Sequence, residues 1–347
     1  YRSRDVTYDR EAAFGYACYH LPDYYATIQY VLAGLAADDL LPHRLRVLDI
    51  GAGVGGPALG LDAFLPDDAL VEYHAIEPSP AADILDELLA KTGPNFHPTI
   101  HETTAEAFDP DGVYDLLLFA NVLSELADPV AVVSRYARHL AESGSLLAIA
   151  PADKETATAL RRVERRLVDD GTTDLGVYSP TVRLWPDATP SDRCWSIVTR
   201  PDLAVPAFQR ALDRAAGSTG EFLNVDVQYA YATLRRDGRT SVQFRPSRER
   251  YARLAESGDH VTERINCAAV KLSDDLGEDN PIYLIGDGSQ REDHFAVLTR
   301  ETGLNRDLRA ADYGAPLSLE RGLVLWNADE HAYNLVVDGE TIVDRLR

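Results

Sequence analysis

Apolar side chains at Tyr24, Ile28, Val31, Leu32 and Leu35 recur every three or four positions. That is the spacing of one helix face, and it predicts a helix over 23–37. The run at 45–50 is short, apolar and ends in a cluster of glycines, which predicts a buried strand leading into a tight turn. The pattern then alternates: strand 69–76, helix 81–91, strand 114–120, helix 130–141, strand 145–150 and helix 154–168. Short strands alternating with helices predict an α/β protein built on a doubly wound parallel sheet.

After Gly171 the texture changes, and Pro180, Pro186, Pro190, Pro201 and Pro206 are expected to interrupt any long element. Strands at 194–199 and 226–235 are expected to close the sheet as an antiparallel pair. From Asp237-Gly238 onward the chain reads as β, with strands at 241–244, 265–272, 282–285, 295–299, 323–326 and 333–337. Turn signals at Gly277, Asp287-Gly288 and Asp338-Gly339 separate them. The expected organisation is an N-terminal helical segment (1–44), a sheet domain (45–236) and a smaller β-rich domain (237–347), a barrel or sandwich, with no internal repeat.

The 347 residues carry 56 acidic against 34 basic side chains, a net charge of −22. This excludes a basic nucleic-acid-binding domain of the ordinary kind. An apolar fraction of 45% is enough to build real cores. No run approaches the roughly 20 apolar residues of a bilayer span, and the first residues lack the apolar core of a signal peptide. The expectation is a soluble cytoplasmic protein with no membrane partner. Lys91, Lys154 and Lys271 are the only lysines, and every other basic side chain is arginine. Acid excess of this kind resembles a proteome adapted to high salt, where a Debye length of about 3 Å at 1 M makes self-repulsion cheap. Cys18, Cys194 and Cys267 are few and far apart. They make a disulfide framework unexpected, and without other ligands they cannot fill a four-cysteine metal site.

The strongest chemical signal is Val47-Leu48-Asp49-Ile50-Gly51-Ala52-Gly53-Val54-Gly55-Gly56. Glycines here turn the backbone sharply off a strand and let a ligand approach the main chain, and the helix that follows presents free N–H groups. Gly51, Gly53 and Gly56 also satisfy the dinucleotide fingerprint, so NAD stays open on the loop alone. Glu77 ends the next strand, where a carboxylate can accept both hydroxyls of a ribose. Asp49, two residues before the first glycine, resembles the acidic residue that supports the methionine-binding loop in class I S-adenosyl-L-methionine (SAM) methyltransferases. Glu106 matches the place where that class contacts the adenine. A strand-end Glu is also commonly just solvated, and Glu106 also fits an ordinary helix-start acid.

The strand 114–120 leads to Asn121-Val122-Leu123-Ser124-Glu125-Leu126 at the carboxyl edge of the sheet. Neither the Asn/Asp/Ser-Pro-Pro-aromatic tetrad of base amino methyltransferases nor a cysteine nucleophile stands here. Any chemistry then rests on positioning an acceptor in line with the methyl sulfonium, with Asn121 or Glu125 orienting it. Glu125 also fits a plain helix cap. If the acceptor is instead a small molecule, a closed apolar acceptor pocket is expected under the N-terminal helix, with Tyr24 and Tyr25 as its lid.

Several segments together resemble the methyltransferase-like proteins of the small subunit of mitochondrial and bacterial-type ribosomes. They are Tyr16 to Thr27 with Val31-Leu32-Ala33-Gly34-Leu35, then Leu48 to Gly56, Ile76-Glu77-Pro78-Ser79-Pro80, and Asn121 to Leu126, in that order. Tyr178 to Pro186 and Asp192 to Ser196 sit where the family has a cysteine-rich insertion. The resemblance spans 8–236 and implies a Rossmann-like SAM-binding domain (Asp49, Gly51, Gly53, Gly55, Glu77, Glu106, Asn121 and Tyr24 holding the cofactor). It further implies a role on ribosomal RNA, as an enzyme or as a catalytically silent assembly factor. Where the family has iron-sulfur ligands, this chain has Thr181 and Trp185, leaving Cys194 and the distant Cys267. An iron-sulfur cluster is therefore not expected.

Charge is unevenly spread. Between Arg235 and Arg253 seven arginines face Asp237 and Glu249, a local +5 interleaved with Phe244 and Tyr251. Arginine with aromatics suits phosphate and base stacking, so this stretch is the candidate contact for the small subunit or its RNA. Arg161, Arg162, Arg165 and Arg166 form a second cluster, expected along one side of a helix. Both clusters also fit simple neutralisation of neighbouring carboxylates.

Overall fold

The computed structural model describes residues 10–346. Residues 1–9, which hold the signal-peptide question, the start of the 1–44 segment and the first two positions of the family resemblance, lie outside the described residues, as does residue 347. In chain order the elements are α1 (Arg10–Tyr19), α2 (Leu21–Ala37), β1 (Arg44–Ile50), α3 (Gly56–Phe64), β2 (Leu70–Ile76), α4 (Ala81–Leu89), β3 (Phe96–His101), β4 (Tyr114–Ala120), α5 (Pro129–Ala137) and β5 (Leu140–Pro151). There follow α6 (Lys154–Asp169), β6 (Gly176–Ser179), β7 (Val198–Arg200), α7 (Ala207–Ala216), β8 (Val227–Arg235), β9 (Arg264–Lys271), β10 (Ile282–Gly286), β11 (Asp293–Leu298), α8 (Asp307–Ala310), β12 (Pro316–Asn327), β13 (Ala332–Val337) and β14 (Ile342–Arg345). None of the described helices is long and apolar enough to cross a membrane.

The chain forms two compact units, Tyr1–Ala150 with Arg200–Tyr229, and Pro151–Thr199 with Ala230–Arg347. It therefore passes between units at 150, 199 and 229, where a single boundary near 240 was expected. In the first unit β3, β2, β1, β4 and β5 lie side by side in that order, all parallel. The strand order reverses between β1 and β4, which opens a crevice at their carboxyl ends. This is the Rossmann-like, doubly wound arrangement the alternation predicts. β3 escapes the periodicity because it is an edge strand carrying Pro98, a residue confined to edges since it cannot donate to a ladder.

Helix packing in this unit depends on close approach. A Cβ on Gly60 of α3 would lie 2.3 Å from Ile28 Cγ2 and 2.5 Å from the Tyr25 carbonyl oxygen on α2. A Cβ on Gly56, one turn earlier, would lie 2.8 Å from Tyr24 Cβ. The two bare positions bring α2 down onto the helix that starts at the glycine loop. α7 corrects the expectation that prolines break this region. Pro206 is its N-cap and Gly217, at φ 65°, its C-cap, so the breakers mark a helix's ends. From α7, the fully buried Gln209 donates to the carbonyls of Cys18 and Tyr19, which satisfies the end of α1.

The second unit pairs β6 antiparallel with β8, while the 194–199 strand shrinks to β7, which also pairs with β8. The predicted strand 241–244 is not formed: the Thr240 hydroxyl donates to the Val242 carbonyl, a local bond that competes with a ladder. Beyond it, β13, β11, β10, β9 and β12 pair in succession and β12 pairs back to β13, closing a five-stranded barrel with β14 added along β12. Ile265, Cys267 and Ala269, Tyr283 and Ile285, Ala296 and Leu298, and Leu335 and Val337 alternate into its core. β12 is much longer than the expected 323–326 because a register shift between Leu319 and Gly322 bends it, letting one strand serve both β14 and β13.

The α2–α3 contact gives a paired prediction. Gly60→Ala should destabilise by about 1–3 kcal/mol through overpacking, whereas Gly34→Ala, where a Cβ would meet nothing within 4 Å, should stabilise by up to about 1 kcal/mol. Urea midpoints of the two variants check this, and equal shifts would show that close approach is not what Gly60 provides.

Candidate functional site

Strand ends set the site. After Ile50 the chain turns at Gly51 (φ 72°), and the N–H groups of Gly51 and Ala52 donate to the Ile76 carbonyl at 2.9 and 3.1 Å. A Cβ at Gly51 would stand 2.5 Å from Val122 Cγ2, so only glycine lets the β1 and β4 exits approach this closely. Glu77, 6% exposed, accepts from the Gly53 N–H at 2.8 Å through Oε2 and from the Ser79 N–H at 2.9 Å through Oε1. Each oxygen keeps a lone-pair direction free for a hydroxyl donor.

Around this bridge lies an open cleft of about 310 Å³, within the range of small-ligand sites. Gly51, Gly53, Glu77, Ser79, Thr104, Glu106, Asn121 and Glu125 line it with the apolar Ala13, Val54, Val122 and Leu126, and with Tyr16. No Lys, Arg or His stands among its described lining residues. Asn121 sits at φ 60°, a left-handed conformation that asparagine tolerates, with its N–H on the Ile149 carbonyl. The 104–106 loop is held from α5: Arg135 donates to the carbonyls of Ala105 and Glu106, and the Tyr136 hydroxyl to that of Ala105 at 2.8 Å.

Six of the nine predicted site residues, Gly51, Gly53, Glu77, Glu106, Asn121 and Glu125, meet in this cleft, while Asp49, Gly55 and Tyr24 do not line it. Gly55 (φ 88°) caps α3, and a Cβ there would strike Leu85. Tyr24 accepts a hydrogen bond from the Tyr16 hydroxyl at 2.8 Å and so backs the residue that does reach the cleft. Tyr16, His20 and Tyr24 form one aromatic cluster, with Tyr16 tilted against His20 at 4.7 Å between centroids and His20 stacked on Tyr24 at 5.9 Å. Their i, i+4, i+8 spacing was the available signal for Tyr16, the residue that sequence reasoning missed. Burial lowers the pKa of His20, keeping its ring neutral.

Asp49 lies beneath the loop, fully buried. Its Oδ2 accepts from the Tyr73 hydroxyl, and its Oδ1 has no hydrogen-bond partner among the described residues. Desolvation pushes its pKa up to about 7; the Tyr73 bond pulls it down and the charge of Glu77 adds to the rise.

The remaining candidates lie outside this cleft. Cys194 and Cys267 are buried and Cys18 is exposed; burial raises both buried thiols. Among the described residues no group of three or more His, Cys, Asp or Glu is placed to hold a metal ion. Thr181 bonds Glu164, which pairs with Arg161, and the Trp185 indole donates to Asp287 at 2.8 Å. The Arg235–Arg253 stretch is largely neutralised by carboxylates, most of them distant in sequence: Arg235 and Arg239 with Asp237, Arg236 with Asp174, Arg248 with Glu256, Arg250 with Glu320, and Arg253 with Asp187. Arg245 alone has no carboxylate partner among the described residues, and Tyr251 is buried, unable to offer its face to a base. The cluster on α6 splits, with Arg161 and Arg165 buried and Arg162 and Arg166 exposed, so it is not one face.

Residues 48–146 match the family described as "Methyltransferase domain", and residues 255–346 match "Domain of unknown function (DUF8157) C-terminal domain". No curated protein matches the chain. Among solved structures, the plantazolicin methyltransferase BpumL in complex with SAH is similar at 13% identity and TM-score 0.41, over 65% of this chain and 88% of that one. The magnesium protoporphyrin IX methyltransferase ChlM from Synechocystis PCC 6803 with bound SAM is similar at 23% identity and TM-score 0.36, over 45% and 71%. The [4+2]-cyclase SpnF is similar at 23% identity and TM-score 0.28, over 34% and 44%.

The buried Asp49 carries a pH prediction. With its folded pKa near 7 against an ordinary 3.8, the folded protein holds this proton more tightly than the unfolded one, so the group's contribution falls as pH rises from about 4 to about 7. Asp49→Asn cannot titrate. Its melting temperature relative to wild type should therefore climb across that window and level off above it; a constant offset would refute the assignment.

Proposed function

We propose that the chain is a methyltransferase that uses S-adenosyl-L-methionine. One observation carries this reading: the turn at Gly51 and Gly53, the β2-end carboxylate of Glu77, the 104–106 loop and Asn121 converge on one cleft inside the region matching a methyltransferase domain. The residues fit the cofactor. At Gly53 the Cβ direction is open, so a ligand can lie on the backbone, and Glu77 keeps acceptor capacity for ribose hydroxyls. Ala105 and Glu106 suit the base, and Gly51, Gly53 and Asn121 the amino-acid part, with Asp49 fixing the loop from beneath. When bound, the cofactor supplies a methyl group on a sulfonium sulfur, transferred to an acceptor lone pair while the electrons of the broken S–C bond stay on sulfur. The chain's own task is alignment and exclusion of water.

Calorimetric titration should show SAM and S-adenosylhomocysteine binding, with Glu77→Ala weakening both at least about tenfold, the size of one charged hydrogen-bond acceptor. NAD binding in place of SAM would overturn the reading.

A second reading, that the acceptor or partner is the small ribosomal subunit, is favoured by the ordered segments Tyr16 to Thr27, Leu48 to Gly56 and Asn121 to Leu126. The Arg235–Arg253 stretch would be its contact, through Arg245 and whatever paired guanidinium groups an RNA phosphate can win from their carboxylates. Transfer of labelled methyl to stripped small subunits supports an enzyme acting there, and subunit binding without transfer supports a silent factor. We further read the charge of −22 as a high-salt adaptation. On that reading the melting temperature rises steadily from about 0.1 M to about 2 M KCl as screening shortens, and a flat response would refute it.

A further inference from the structure

Three carboxylates line the cleft, and they differ in what they already hold. Both Glu77 oxygens accept backbone N–H groups, while Glu106 sits on the loop whose main chain Arg135 holds, its carboxylate without a hydrogen bond or ion pair among the described residues. The Glu125 side chain, exposed at the cleft mouth after β4, has no hydrogen bond or ion pair among the described residues. Its backbone is fixed, with the Glu125 N–H on the Val122 carbonyl at 2.9 Å, so the free carboxylate stands on a built turn beside Asn121.

The surroundings decide what Glu125 can meet. With Glu77, Glu106 and Glu125 on the walls and no basic side chain among the described lining, an acceptor bearing carboxylate or phosphate at its reacting end would be repelled. A cation would be drawn in, and the Tyr16 ring and the apolar Val122 and Leu126 give its carbon skeleton a dry wall. Resting on the SAM reading above, we propose that the acceptor is an aliphatic amine, bound as an ammonium by Glu125, which then takes one proton from the nitrogen and frees the lone pair that receives the methyl group. The balance is simple: the N–H bond breaks, its electrons remain on nitrogen, and the proton becomes the O–H of Glu125, lost to water after transfer. Partial desolvation and then the charge of Glu77 raise the Glu125 pKa, which suits a proton acceptor better than an ordinary carboxylate. The titratable groups sharing the cleft are Glu77, Glu106 and Tyr16.

Two sources of such an amine are open, a free polyamine or a lysine side chain of a basic protein. The test is calorimetry on the full chain saturated with S-adenosylhomocysteine, using spermidine and a lysine-rich peptide as probes, with propionate and a short single-stranded RNA as contrasts. One or both amines should bind while the contrasts do not. Glu125→Gln should weaken the amine at least about tenfold and leave S-adenosylhomocysteine affinity within about twofold. Amine binding should also fade as pH falls through the Glu125 titration, a readout independent of turnover, and Glu125→Asp should restore part of it. Stronger binding of spermidine or of the peptide identifies the source. Amine binding that ignores Glu125→Gln and pH, or binding of RNA or propionate instead, overturns the proposal while S-adenosylhomocysteine binding persists. Failure of S-adenosylhomocysteine itself to bind would overturn the underlying cofactor reading.

Discussion

The cleft depends on one carboxylate being shared by two backbone segments. Glu77 receives the N–H of Gly53 on one oxygen and that of Ser79 on the other, so the loop leaving β1 and the chain leaving β2 are tied at a single buried point. Charge-assisted bonds to N–H groups are stronger than neutral ones, and here they fix a segment whose glycines at 51, 53 and 55 all sit at positive φ and have little stiffness of their own. Once the loop is fixed, Gly51 can take Val122 against its bare α-carbon and α3 can begin at Gly56. Asp49 below and Asn121 beside it then occupy positions that a looser loop would leave undefined.

Most of the first unit was legible because its strands are continuously apolar and its helices amphipathic, the two periods that survive without tertiary information. α1, β3 and α7 were not, each for a different reason. β3 reads FHPTIH, with polar positions and a proline that only an edge tolerates. α7 buries Gln209 and Asp213, polar residues serving the carbonyls of α1 and the loop after α7, so its inward face is not an apolar stripe. Residues 316–322 of β12 hide between Pro316 and Gly322, breakers that the bend puts to use. In the site, the backbone-binding residues were visible because glycine has few reasons to cluster. Tyr16 was not, since an aromatic at helical spacing is ordinarily core.

Local charge counts change on folding for a related reason. A run of arginines has a net charge only until the chain folds, and here Asp174, Asp187 and Glu320 come from distant segments to meet it, joined by the nearby Glu256. Arginine suits this use, since its planar fork stays charged and bonds two oxygens at once. Arg253 takes both oxygens of Asp187, and the buried Arg235 both of Asp237. An acidic chain that relies on arginine rather than lysine spends its few cations as tertiary ties, and its excess carboxylates remain for the surface and for the cleft.

The cleft shows how one residue type meets different settings through its surroundings alone. Glu77 is buried and each of its oxygens accepts one backbone N–H, so the remaining lone pairs are left to accept further donors. Glu125 has no donor among the described residues, and partial desolvation and then the charge of Glu77 raise its pKa. The sequence spells both as glutamate after a strand. What separates them is that the loop beyond β1 and the backbone beyond β2 each turn one N–H onto Glu77, whereas the backbone beyond β4 closes its turn on its own carbonyl at Val122 and gives the Glu125 side chain no partner among the described residues.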